Sequence, residues 1–213
     1  AQLQAKGKTE ILEMMNAELA SAGEMSFTRQ MQPKGLGHAV WCARDIVGHE
    51  PFAVILPDVI VDGQPGALKQ LVEVYAETGG NLIGVESVDI EQAHKYGIVD
   101  PAARDGNRIT MKGMVEKPAP GTAPSNLSIA GRYILQPEIF DLLATQERGA
   151  GNEIQLTDAM ARLMAHQAFT AVEYAGVTHD CGDKIGLLRA NVALALKRPD
   201  LGEAARTAVS ALL

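Results

Sequence analysis

Short apolar runs of strand length alternate along this chain with apolar stripes of helix length, and that alternation is what most restricts its fold. Ile11, Leu12, Met15 and Leu19 recur at helical spacing, with Gly23 as the stop. Phe27 to Gln30 reads as a short strand, and Ala39, Val40, Ala43, Ile46 and Val47 form a second helical stripe. Phe52-Ala53-Val54-Ile55-Leu56 is a continuous apolar run, the pattern of a strand buried on both faces. Gly66 to Thr78 is helical by period, and Asn81 to Val88 is strand-like. Arg104-Asp105-Gly106-Asn107 is a turn signal between Ile98-Val99 and Ile109-Thr110-Met111, which predicts a hairpin. Ser128 to Leu135 reads as a strand, with a short helix opened by Pro137 behind it. Ile154 to His166 is an amphipathic helix and Phe169 to Tyr174 a last strand. Ile185 to Lys197 is a last long helix stopped by Pro199, its stripe of Ile185, Leu188, Val192 and Leu196 expected to face the core. The sum is an α/β fold: a mixed, mostly parallel sheet with helices on both faces, in which ligands bind at the carboxyl ends of the strands.

Composition narrows what such a fold can do. With 46% hydrophobic residues but only one Trp, four Tyr and four Phe, the core must be mainly aliphatic. The formal net charge of −7 lacks the basic excess of a general nucleic-acid surface, so phosphates would have to be held by a few placed groups. No run of about 18 apolar residues predicts a membrane span, and Ala1 to Lys6 has no apolar signal core. Cys42 and Cys181 lie far apart and outside any C-x-x-C arrangement, which fits a reducing compartment. The expectation is a soluble cytoplasmic domain.

Residues just after strands are then the ones to weigh. Asp58 follows an apolar strand directly; a carboxylate there is costly unless paired, hydrated or bound to a hard cation, and a simple turn residue is the alternative. Glu116-Lys117-Pro118 follows the strand Lys112 to Val115. Neighbours on a strand point to opposite faces, but a strand end before Pro can splay and bring both heads to one pocket. The Glu could then accept from sugar hydroxyls and the Lys hold a phosphate as a point charge; a solvated ion pair is the plainer alternative. Gln30 to His38 forms a glycine loop that a flat base or a phosphate could approach, or a plain turn, with His38 expected to pack or cap. In His179-Asp180-Cys181-Gly182-Asp183 the spacing matches no usual zinc pattern. Asp180 reads better as a second oxygen ligand beside Asp58, and Asp183 as a helix N-cap.

The order of these blocks carries a resemblance. Lys34-Gly35-Leu36-Gly37-His38-Ala39-Val40, Ile55-Leu56-Pro57-Asp58-Val59, Tyr96-Gly97-Ile98-Val99-Asp100, Val115-Glu116-Lys117-Pro118, Ala123-Pro124-Ser125-Asn126-Leu127, Gly151 to Asp158 and His179-Asp180-Cys181-Gly182 together resemble the bacterial UTP–glucose-1-phosphate uridylyltransferases, from about Gly7 to the last helix. The resemblance implies a single Rossmann-like nucleotidyltransferase domain over residues 1–213, an α/β/α sandwich, usually in homodimers or homotetramers. It implies that Gln30 and Gly35 contact the uracil edge, that Asp58 and Asp180 lie at a magnesium site, and that Glu116 and the Gly97 backbone bind glucose hydroxyls. Lys117 would grip the phosphate of glucose 1-phosphate, and Asn126 would be a further sugar-pocket residue. Asp58 and Lys117 are thus the expected catalytic residues, Mg2+ the expected cofactor, and UTP and glucose 1-phosphate the expected substrates, with neither nucleic acid nor membrane as partner.

The same resemblance implies a leading strand and Gly-x-Gly-Thr-Arg loop, followed by a Pro-Lys-containing segment, that together wrap the triphosphate; that region is not found here, and the chain is expected to start after it, roughly at the helix preceding the Gln30 strand. The expectation is a fragment of a longer protein, the alternative a shortened form without catalysis. A missing central strand would leave strands unpaired and an apolar face exposed, which predicts a poorly soluble or molten isolated chain. Two other functions stay in view: a thymidylyltransferase or other hexose-1-phosphate nucleotidylyltransferase, and a non-catalytic UDP-sugar-binding module.

Overall fold

The computed structural model describes residues 4, 6–17 and 19–212; residues 1–3, part of the leading stretch weighed as a signal, lie outside the described residues, as do 5, 18 and 213. Eight strands occur among the described residues: β1 Phe52–Ile55, β2 Val59–Asp62, β3 Asn81–Ser87, β4 Gly97–Asp105, β5 Arg108–Glu116, β6 Leu127–Leu135, β7 Phe169–Glu173 and β8 Val177–Asp180. Six of them form one sheet in the order β1-β6-β3-β7-β5-β4, and β2 pairs with β8 in a separate two-stranded ladder. The helices are α1 Thr9–Ala17, α2 Leu36–Trp41, α3 Arg44–Val47, α4 Ala67–Thr78, α5 Ile139–Ala144, α6 Leu156–Leu163, α7 Lys184–Lys197 and α8 Gly202–Ser210, with 3-10 turns at Ile90–Lys95 and Ala150–Asn152.

The sheet is mixed, as expected, but the expectation that it is mostly parallel is corrected. Only β3 and β7 run parallel; the other pairings among the described residues are antiparallel. Two features produce this. Gly106-Asn107 folds β4 back on β5 through a two-residue turn that needs the positive φ of Gly106 (59°). β6 then enters between β1 and β3 from the opposite end. Its first residues meet two strands at once, Ser87 facing Leu127 and Ile98 facing Ser128.

Helices cover both faces. On one face Leu71 and Val74 of α4 pack on Leu82, Ile134 and Val172. On the other, Val40 of α2, Ile139, Phe140 and Leu143 of α5, and Leu156, Met160 and Leu163 of α6 pack on Ile83, Val85, Val99 and Ile109. Consecutive β3 residues thus serve opposite faces, and Leu82, Ile83 and Val85 are fully buried. Each such side chain contributes roughly 1.5–3 kcal/mol by leaving water.

Several sequence expectations change at the margins of the sheet. β1 is not buried on both faces: Ala53 and Ile55 are exposed, because β1 lies at the edge with β6 as its partner. Phe27 to Gln30 forms no strand, and Phe27 is 87% exposed. α1 stops at Ala17, short of Gly23, and buries none of its described residues. The α6 helix starts at Leu156 rather than Ile154, since Glu153 and Gln155 are extended and Ile154 between them is tied elsewhere: its N–H donates to Lys34 O and its carbonyl accepts from Gly37 N, both at 2.8 Å. The α7 stripe does not face the core. Ile185 and Leu188 are exposed and Ala190 is the buried residue, because α7 packs on β8 and α8 rather than on the large sheet. Strands β2 and β8 and helix α8 had no counterpart in the sequence pattern.

Candidate active site

The β2–β8 ladder explains how residues 122 positions apart meet. Val59 pairs with Asp180, and the Cys181 N–H donates to the Asp58 carbonyl at 2.7 Å. Asp58, in the turn between β1 and β2, is therefore brought beside Asp180 at the end of β8. A Cβ added at Gly182 would lie 3.0 Å from Asp180 Oδ1 and 3.5 Å from Asp58 Oδ2, so both carboxylates face one small space that only glycine leaves open. Asp180 Oδ1 also accepts from the Gly182 N–H at 2.9 Å. Asp183 caps α7 as expected, its Oδ1 accepting from Ile185 and Gly186 N–H at 2.8 Å each.

Glu116 and Lys117 reach the same space by a different device. β5 ends at Glu116, and Lys117 then takes a φ of 45°, a left-handed conformation rare for a non-glycine residue. That departure breaks the strand alternation, so both side chains line one cavity instead of opposite faces. The Lys117 N–H donates to Tyr96 O at 3.0 Å, and its ammonium lies 3.8 Å from Glu116 Oε1. Glu116 Oε2 accepts from Thr157 Oγ1 at 2.7 Å. Gly97 faces Glu116 across the β4–β5 ladder, and a Cβ there would lie 3.0 Å from Glu116 Oε2 and 3.3 Å from Thr157 Oγ1. A side chain at Gly97 would thus crowd the Glu116–Thr157 pair.

These groups line a cavity of about 320 Å³ at the carboxyl ends of β1, β3 and β5. Its wall carries the carboxylates Asp58, Glu86, Glu116 and Asp180 and the ammonium groups of Lys95 and Lys117. Burial holds the Glu86 carboxyl above its ordinary range; a hydrogen bond from Thr178 works against this and the charge of Asp180 adds to it. Burial likewise raises Tyr96, with Asp180, Glu86 and Asp183 contributing, and raises the fully buried Tyr133 strongly, with Glu116 and Asp58 contributing. Carboxylate oxygens are hard donors suited to magnesium, which keeps several waters and takes few protein ligands. Asp58 and Asp180, facing one open space, fit such an ion.

Of the residues singled out from sequence, Asp58, Gly97, Glu116, Lys117 and Asp180 come together in this cavity. Gln30, Gly35 and Asn126 do not line it. Gln30 Nε2 donates to Gly35 O at 3.0 Å and lies 2.9 Å from His38 Nδ1. Gly35, at φ 108°, packs against the next segment, where a Cβ would meet Glu153 Cβ and Ile154 O at 2.8 Å; its neighbour Leu36 does reach the cavity. Asn126 Nδ2 donates to Val88 O at 3.3 Å. His38 is a buried packing residue, its ring 5.8 Å from that of Trp41 and its pKa lowered by burial and then by Lys34. Thr157, Glu86 and Lys95 were missed. Glu86 had a signal, being at the carboxyl end of a strand, whereas Thr157 reads as an ordinary first-turn helix residue.

Known proteins resemble this chain in sequence and in fold. A model of the Nucleotidyl transferase family matches residues 5–196. The UTP–glucose-1-phosphate uridylyltransferase of Staphylococcus epidermidis is 47% identical over 201 residues, covering 94% of this chain and 69% of the relative. UTP–glucose-1-phosphate uridylyltransferase 2 of Staphylococcus saprophyticus is 50% identical over 197 residues, covering 92% of this chain and 67% of the relative. The chain therefore spans about two thirds of the length of these relatives. Among solved structures, the UTP-bound enzyme from Acinetobacter baumannii matches with a TM-score of 0.87 at 39% identity, covering all of this chain and 74% of that one. A UDP-glucose pyrophosphorylase complexed with UDP-glucose matches with a TM-score of 0.79 at 39% identity, covering 81% of this chain and 66% of that one.

Proposed function

This chain belongs to the nucleotidyl transferase family and, within it, to the UTP–glucose-1-phosphate uridylyltransferases, and from that premise we propose that its protein makes UDP-glucose and pyrophosphate from UTP and glucose 1-phosphate. The observation that carries the proposal is the convergence of Asp58, Glu116, Lys117 and Asp180 on one cavity from separate elements. A phosphate oxygen of glucose 1-phosphate attacks the α-phosphorus of UTP in line; the new P–O bond forms as the bond to the bridging β-phosphate oxygen breaks, and pyrophosphate leaves. The nucleophile is already an anion, so no general base is needed, and the protein's work is positioning and charge neutralisation.

Each residue then has a role. Lys117 holds the sugar phosphate as a point charge. Glu116 accepts from glucose hydroxyls, with Thr157 fixing one of its oxygens and the Lys117 ammonium 3.8 Å from the other. Gly97 offers its backbone to the sugar, Gln30 and Gly35 contact the uracil edge, and Asn126 supports the sugar pocket. Asp58 and Asp180 would hold a magnesium ion, which supplies positive charge for phosphate oxygens when bound. The protein acts as a single nucleotidyltransferase domain in a cytoplasmic homodimer or homotetramer; among the described residues no helix is long and apolar enough to cross a membrane.

The test is pyrophosphate release with UTP and with dTTP side by side, for the protein and for Lys117→Ala, together with calorimetric titration with UDP-glucose. Turnover preferring UTP and lost in Lys117→Ala is expected. Preference for dTTP would overturn the base assignment, and UDP-glucose binding without turnover would favour the binding-module reading.

A further inference from the structure

Arg132 is buried, 9% exposed, in the middle of β6, and no ion pair among the described residues includes it. A buried cation without an anion is unfavourable unless its donors are satisfied by dipoles. Here they are satisfied in one place. Nη1 donates to Leu56 O at 3.1 Å and to Gly131 O at 3.0 Å, and Nη2 donates to Val59 O. Leu56 and Val59 are the two ends of the turn Leu56-Pro57-Asp58-Val59, so the guanidinium clamps the turn that carries Asp58.

The surroundings are shaped for this clamp. Arg132 pairs in register with Ile55, the last residue of β1. Gly131, at φ 65°, lies against Leu56, where a Cβ would meet Leu56 side-chain carbons at 3.0–3.2 Å, so a side chain there would be strained in its backbone and would push Leu56 aside. On the other side, a Cβ at Gly84 would sit 3.1 Å from Arg132 Cβ, and the β3–β6 register shifts between Ile83 and Val85 at that point. An apolar side chain would fill the volume, but a planar guanidinium with several fixed donors is what can hold three carbonyls together. Pro57 lacks an N–H, so the turn has one donor fewer of its own with which to close.

We propose that Arg132 is the positioning residue of the cation site: by clamping Leu56 and Val59 it fixes the Asp58 carboxylate against Asp180 and so sets the affinity for a divalent cation. This rests on the assignment of Asp58 and Asp180 as the cation ligands. A residue that merely supports the fold would change stability and leave the ratio of metal affinities alone.

The experiment is Mn2+ binding followed by electron paramagnetic resonance, on the protein and on Asp58→Asn, Arg132→Lys and Arg132→Met, with near-UV circular dichroism and denaturant titration as controls of fold. Asp58→Asn is expected to lose binding, Arg132→Met to weaken it about tenfold or more, and Arg132→Lys to fall between, since an ammonium can restore part of the clamp. Unchanged Mn2+ affinity in a folded Arg132→Met, or in Arg132→Lys if the Met variant does not fold, overturns the proposal. Wild-type affinity in Asp58→Asn instead overturns the assignment of the cation ligands beneath it.

Discussion

Replacing Thr157 by Val removes one hydroxyl from the site and keeps the side-chain shape. That hydroxyl donates to Glu116 Oε2 at 2.7 Å, and Thr157 is only 7% exposed. A hydrogen bond to a charged group is worth roughly 1.5–3 kcal/mol, which converts to roughly 10- to 150-fold in kcat/KM. The cavity is open to water and the Glu116 side chain keeps 13% of its surface, so solvent replaces part of the loss and the lower end of that range is expected. The loss should appear against glucose 1-phosphate, with KM for UTP unchanged, because Glu116 is assigned to the sugar. Thr157→Ser retains the hydroxyl and should stay within about threefold of the parent, given the magnitude of one hydrogen bond. Steady-state kinetics with each substrate varied separately decides the matter. A Thr157→Val enzyme with parental KM and kcat for glucose 1-phosphate would refute the claim that the Glu116–Thr157 pair is part of the sugar site.

Two further outcomes follow from the backbone and the titrating groups. At a φ of 45°, Lys117 occupies a conformation that costs a non-glycine residue about 1 kcal/mol or more, so Lys117→Gly should be more stable than Lys117→Ala in denaturant titrations although both lose phosphate binding; equal stabilities would mean that the turn is not strained. Because burial raises the Glu86 carboxyl above its ordinary value of 4.5, its contribution to stability is fully present below that value and is lost as pH rises through the folded pKa. Glu86→Gln should therefore gain stability over the parent as pH climbs above 4.5, and denaturant midpoints whose difference does not change with pH would contradict this.

Part of the site was legible because Asp58, Gly97, Glu116 and Lys117 border strands that are themselves visible as apolar runs. Asp58 ends the run from Phe52, Gly97 opens the predicted hairpin, and Glu116-Lys117 closes it. What the sequence did not reveal is what made them converge. β2 and β8 are four-residue strands of ordinary appearance that find each other across more than a hundred residues, and local patterning carries no information about such pairing. The direction of β6 was equally hidden: a strand's alternation reads the same in either direction, and the sheet's antiparallel character follows from where that strand enters. The α7 stripe failed for the complementary reason, since a helical period marks an apolar side without saying which surface receives it.

The charge on the cavity wall leads to a last prediction. With four carboxylates and two ammonium groups, the wall has two more negative than positive charges when all are ionised, and the proposed ligands are anions as well. Such a site should bind a nucleotide sugar poorly until a divalent cation offsets Asp58 and Asp180. A like charge a few ångströms from a phosphate costs about 1 kcal/mol even in water, roughly fivefold in affinity. Asp58→Asn should then act in opposite directions. In a chelator it should bind UDP-glucose several-fold more tightly than the parent, because one repulsive charge is gone; with magnesium present it should bind more weakly, because a cation ligand is gone. Calorimetry in both conditions reads the crossing directly. A variant weaker in both would mean that Asp58 supports the pocket's shape rather than its charge balance, and the acidic wall would need another explanation.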